Sequence, residues 1–288
     1  MHDNTTSERA AGFLLGLLEA GEAERVRRRI GLRPSPPDGE SGESEEAADA
    51  RRSVYSWWTR TPVPSSVLLW VLEEDDPELN ALVWRHLSAD DAMRRAIVRG
   101  IPHGPGRGQP VPVAKSLRRE PEPPVPEHFS RFGLVGALRA SRSMGPARKA
   151  ASMVVGHPGW KAVAAADLER ALPGYARWAL AVRPDCPPAL RERFGSHAKF
   201  THRVRQSGVV DGPARYATTW SPADRVLRVL SLGRTMFPAR VREAEDVLRP
   251  LVRDHLGDRE DAWAVLAQLV GTYYGTVPEL LVTAGAVA

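Results

Sequence analysis

Apolar residues recur mostly three or four positions apart along this chain, the spacing that gathers them on one face of a helix. Phe13, Leu14, Leu17 and Leu18 follow the capping-box pair Thr5 and Glu8, predicting one helix or two short ones over 7–30. The arginines 25, 27, 28 and 29 suit the negative end of that helix dipole. A helix from Ser65 or Ser66 carries Val67, Leu68, Leu69, Trp70 and Leu72. Asp76-Pro77 starts a second, by a capping carboxylate followed by proline at the first helical position. Ser88 with Asp91 predicts a capping box for a third, which Gly100 closes in a left-handed conformation.

Further along, Ser141–Val155 and Lys161–Leu172 read as helices separated by Gly156, Pro158 and Gly159. Ser221-Pro222 with Asp224 predicts a helix start, and Pro238 opens a helix with Val241, Ala244, Leu248 and Val252 on one face and a kink at Pro250. Trp263–Tyr274 gives another, and Thr276 with Glu279 caps the last. The alternating pattern of strands is missing, so the expected class is all-α: compact helical domains with two solenoid-like three-helix repeat units.

Two stretches interrupt the helices. Residues 34–50 hold Asp38, Glu40, Glu43, Glu45, Glu46 and Asp49 without a basic residue, the composition of an acidic disordered linker. Residues 102–127 hold eight prolines and predict an extended connector along the surface; Pro121–Pro124 has PxxP spacing but reads as spacer. The expected organisation is an amphipathic helical region at 1–33, the linker, a first block at 51–101, the connector, and a second block at 128–288.

Trp70–Gly100 and Trp178–Gly208 align without a gap at an offset of 108, with eight identical pairs: Trp70/Trp178, Leu72/Leu180, Ala81/Ala189, Leu82/Leu190, Arg85/Arg193, Ser88/Ser196, Arg95/Arg203 and Gly100/Gly208. One such unit is too small to bury its own apolar face, so duplicated units stack on neighbours. In the second copy Asp185, Pro187, Pro188, Leu190 and Arg193 resemble the leucine-rich repeat variant unit, in which an Asp/Asn and a Pro-Pro pair precede a short helix. The first copy keeps Asp76, Pro77 and Leu79 in similar order but lacks the Pro-Pro pair. The stretches are similar also to HEAT-type helical units. The resemblance covers about 60 residues and implies an interaction surface, with no reaction attached; the iron–sulfur cluster of some family members needs cysteines this chain lacks.

Composition narrows the chemistry. A single cysteine, Cys186, excludes an internal disulfide framework and points to a reducing cytoplasm. Apolar runs such as Phe13–Leu18 fall well short of a bilayer span, and no signal peptide is expected. The net charge of +5 combines −6 in the linker with +11 elsewhere, and only four of the 40 basic residues are lysines. No Gly-Lys phosphate loop, G-x-S-x-G elbow or H-E-x-x-H motif occurs. His197 and His202 stand about 140° apart around a helix, too far for easy joint ligation. Cys186 reads as a buried thiol, Glu73–Asp76 as solvated capping carboxylates, and of Trp57-Trp58 one ring is expected at the surface.

The binding candidates are the basic residues of the third helix in each copy: Arg94, Arg95 and Arg99, and Lys199, His202, Arg203 and Arg205. Placed equivalently, they would form a positive stripe. The expected function is a non-enzymatic interaction or regulatory protein with a macromolecular, chiefly protein, partner, without catalytic residues, metal or cofactor. The alternative is a nucleic-acid-binding regulator using that stripe, with the acidic linker competing for it.

Overall fold

The computed structural model describes residues 4–32, 55, 56, 58, 61–106 and 108–288; among them every regular element is helical and no strand occurs. The acidic stretch 34–50 and Trp57 lie outside the described residues. None of the described helices is long and apolar enough to cross a membrane. The chain divides into two compact units, 55–209 and a second made of 1–54 with 210–288. The block expected over 128–288 is thus divided between the two.

In the 55–209 unit, α3 (Ser65–Leu72) is apolar nearly throughout and buries Val67, Leu68, Trp70, Val71 and Leu72. Helix α4 (Pro77–Arg85) begins as expected, with the Asp76 carboxylate accepting the amides of Glu78 and Leu79. Helix α5 (Asp91–Val98) is capped differently: Asp90 accepts the Met93 amide, because the helix starts at Asp91 and so puts Asp90, not Ser88, at the cap position facing the third amide. The Ser88 amide donates instead to His86 Nδ1. Gly100 (φ 63°) ends α5 in a Schellman turn, with Gly100 N–H on Ile97 O and Ile101 N–H on Ala96 O.

The connector is a packed strap. Its Val111, Ala114 and Leu117 are buried, and the Val111 amide bonds the Gly100 carbonyl. Then follow α6 (Glu127–Arg139, broken at Gly133), α7 (Met144–Ala151), α8 (Gly156–Glu169), α9 (Gly174–Ala181), α10 (Pro188–Gly195) and α11 (Thr201–Arg205). Gly156, Pro158 and Gly159, expected as a break, form the first turn of α8, where proline needs no donor partner. Trp160, Trp178, Leu180, Phe194 and Phe200 join one apolar core with Ala147, Ala150 and Ala151 of α7.

In the other unit, α1 (Asn4–Leu15) packs Phe13 and Leu14 on α13 (Ala223–Met236), and α2 (Ala20–Arg29) ends in the arginine run. Helix α1 begins ahead of the proposed Thr5 cap. Helix α12 (Pro213–Thr219) lies against α14 (Pro238–His255), and α15 (Glu260–Leu269) against α16 (Val277–Val287). Two expectations change here: Pro222, not Ser221, occupies the cap of α13, and α15 stops before Tyr274. Helix α14 runs on through Pro250, as one element. The Thr276–Glu279 capping box forms.

Candidate functional site

The two sets of basic residues meet different fates. Arg95 is fully buried: Nε donates to Glu122 Oε1 at 2.9 Å, Nη1 to the Ser152 carbonyl at 2.8 Å, and Nη2 to the Pro123 carbonyl at 3.1 Å. Arg94 bonds the Trp84 and His86 carbonyls, and Arg99 meets Glu122 Oε1 at 2.6 Å. Burial pushes the Glu122 carboxyl up, but the two guanidiniums outweigh it and hold it below the usual range. Arg95 therefore ties the strap to α5 and α7 and does not belong to a solvated basic face.

The second set stays at the surface. Lys199, His202 and Arg203 are exposed, and the Arg205 side chain lies outside the described residues. Lys199 precedes α11 instead of lying on it. Its Nζ is 3.2 Å from Tyr175 Oη and 4.8 Å from the Tyr175 ring centroid, a cation–π placement. Arg203 Nη1 points at Met144 Sδ, a weak acceptor. Together with Ser143, Met144, Gly145, Tyr175 and Phe200 they line an open cleft of about 580 Å³, with no acidic side chain among the described lining residues.

Local packing fixes this arrangement. Phe200 is buried against Tyr175, Trp178 and His197, with ring centroids 5.0, 6.1 and 5.5 Å away, which anchors the turn carrying Lys199. Gly174 allows that turn to close on α9, since a β-carbon there would lie 2.8 Å from His197 Nε2. Arg148 lies over Trp178 at 4.9 Å.

A buried polar cluster escaped the sequence reading. Arg183 donates Nε to Asp185 Oδ1 at 2.8 Å and Nη2 to Oδ2 at 2.6 Å, a bidentate pair, while Nη1 bonds the Ala151 carbonyl. Trp160 Nε1 donates to the same carboxylate at 3.1 Å. Burial raises the Asp185 carboxyl, and Arg183 outweighs it, leaving Asp185 below its ordinary value. Asp75 is buried, with φ 52°, and accepts the amides of His103 at 2.8 Å and Gly104 at 3.0 Å. It organises the start of the strap and is not the solvated capping group expected. Desolvation lowers the His103 pKa against the pull of Asp185 and Asp75.

The signal for this cluster was the Arg-Pro-Asp turn at 183–185, where a guanidinium two residues before a carboxylate can fold back onto it. The cluster is saturated by its own hydrogen bonds. Cys186 beside it is buried, and desolvation pushes its thiol up to about 12, which leaves it protonated at neutral pH. Trp58, the described member of the Trp57-Trp58 pair, is buried. Among the described residues no group of three or more His, Cys, Asp or Glu is placed to hold a metal.

A neighbouring cavity of about 370 Å³ sets Asp90 and Asp91 against Arg148, Lys149 and Arg183, so its two carboxylates offset two of its three cations. The Lys199–Arg203 cleft is one-signed, and that sets it apart. No family model matches the chain, and no curated protein or solved structure matches it.

Proposed function

We propose that the protein is a non-enzymatic interaction or regulatory protein whose 55–209 unit binds an acidic macromolecular partner through the Lys199–Arg203 cleft. The observation that carries this reading is the lining: two cations, two aromatic rings and no carboxylate. The first copy supports it by example, because Arg95, at the position of Arg203 in the duplicated stretch, already engages the carboxylate of Glu122. Helical units similar to leucine-rich repeat variant or HEAT-type repeats suit such a role, since they present surfaces and not reaction centres.

The test is affinity capture from the native host with the full chain and its Lys199→Glu/Arg203→Glu variant, each with and without nuclease. A partner that survives nuclease and disappears with the variant is the expected result. Equal capture by both chains would refute the reading. Capture abolished by nuclease, with binding to DNA that falls steeply between low and moderate salt, would replace it with the nucleic-acid alternative.

A further inference from the structure

We infer that the cleft recognises a phosphoryl group carried by the protein partner. The inference rests on the partner-binding reading of the same cleft and specifies its chemistry. Lys199 supplies a compact point charge and Arg203 a planar fork of donors, and a phosphate dianion accepts from both at once. Among the described residues no acidic side chain lines the cleft to offset them, and their two positive charges match the phosphate's two negative ones.

Neutral donors complete the set. The Ser143 hydroxyl makes no cap bond to α7, although it stands at the head of that helix and lines the cleft. The Gly145 amide lies in the first turn of α7, where N–H groups have no intrahelical acceptor. A β-carbon at Gly145 would meet nothing within 4 Å, so a ligand oxygen has room to approach the backbone there.

The acceptor nearest Arg203 Nη1 is the Met144 thioether, which a phosphate oxygen outcompetes. A single phosphoryl group fits better than a nucleic-acid strand. A strand needs a basic track and free aromatic faces on which bases stack, whereas Lys199 already covers the Tyr175 ring.

The experiment titrates the full chain with phenyl phosphate, and with benzoate as the carboxylate of the same ring, following the Gly145 amide by NMR. Phenyl phosphate should saturate and bind about tenfold more tightly than benzoate. The Lys199→Ala/Arg203→Ala variant should lose about tenfold or more with unchanged circular dichroism, since both side chains are exposed. Arg203→Lys, which keeps the charge and loses the fork, should fall between.

Equal affinity for benzoate, an unaffected double variant, or no saturable shift of Gly145 would each overturn the inference. So would an oligodeoxythymidylate that displaces phenyl phosphate and binds far more tightly. A captured partner that depends on Lys199 and Arg203 but survives phosphatase would sink the phosphoryl inference alone. Capture indifferent to both residues would sink the partner-binding reading itself.

Discussion

Replacing Arg95 with Ala separates a buried structural arginine from a surface one. The side chain has no exposed area, and its guanidinium serves Glu122 and the carbonyls of Ser152, Pro123 and Pro124. Removing one partner of a buried pair costs about 3–5 kcal/mol when the other charge is stranded. Glu122 is not stranded: it is 34% exposed and keeps Arg99 at 2.6 Å. The loss therefore falls on the carbonyls, at about 1–3 kcal/mol for each that stays dry. Water entering the vacated space will serve some of them, so the expected cost is about 3 kcal/mol. Urea denaturation followed by tryptophan fluorescence measures it. Arg99→Ala is the internal control, because its side chain is 42% exposed and the exposed pair is worth about 0–1 kcal/mol. Arg203→Ala should stay within about 0.5 kcal/mol of the parent. An Arg95→Ala chain as stable as Arg203→Ala would refute the buried-strap account.

Three further outcomes are expected of the same fold. Gly100→Ala should destabilise by more than about 1 kcal/mol, because φ is 63° and the new methyl would lie 2.5 Å from the Val111 carbonyl oxygen; a neutral melting temperature would contradict the strap's seating. Trp178→Ala should cost about 3–5 kcal/mol by emptying the core beside Phe200, and an unchanged urea midpoint would place the ring at the surface. Burial lowers the pKa of His86 and His103 in the folded chain below the ordinary imidazole value of 6.5, so below that pH the unfolded chain binds more protons. Their stabilising contribution is full above pH 6.5 and declines as pH falls through the folded values. His103→Gln should flatten the fall between about pH 7 and 5, and a stability that rises on acidification would reverse the sign.

The parts of the fold visible in the sequence are those fixed by local chemistry. Asp76-Pro77, Thr276 with Glu279, and Gly100 mark helix ends because each satisfies, or frees from strain, backbone groups within four residues of itself. Where two capping residues compete, the pattern misleads: Ser88 and Asp90 both precede α5, and register decides for Asp90. The boundary at 209/210 has no local signature, because it arises from α13 returning to pack on α1 some 200 residues earlier in the chain. The state of Arg95 is likewise nonlocal. Its carboxylate partner stands 27 residues away in the proline-rich segment, which read as spacer because proline removes helix without saying what the strap rests on.

The aligned stretches Trp70–Gly100 and Trp178–Gly208 show which positions such distant partners can change. Trp70 and Trp178 are both buried, and Gly100 and Gly208 both have positive φ, so the residues that set core and chain reversal behave alike. The polar pairs do not. Arg85 bonds the Ala81 carbonyl, whereas Arg193 reaches the buried Asp167; Arg95 is enclosed, whereas Arg203 is exposed. The difference traces to what covers each stretch. The strap lays Glu122 and the Pro123 carbonyl against Arg95, and among the described residues no carboxylate lining the Lys199–Arg203 cleft does the same for Arg203. An acidic group is therefore held in cis at one arginine, while its counterpart faces an open cleft. Moving a carboxylate into that cleft, as Ser143→Glu, should pair with Lys199 or Arg203 and weaken phenyl phosphate binding about tenfold without lowering stability. Unchanged binding would show that the anion sits elsewhere.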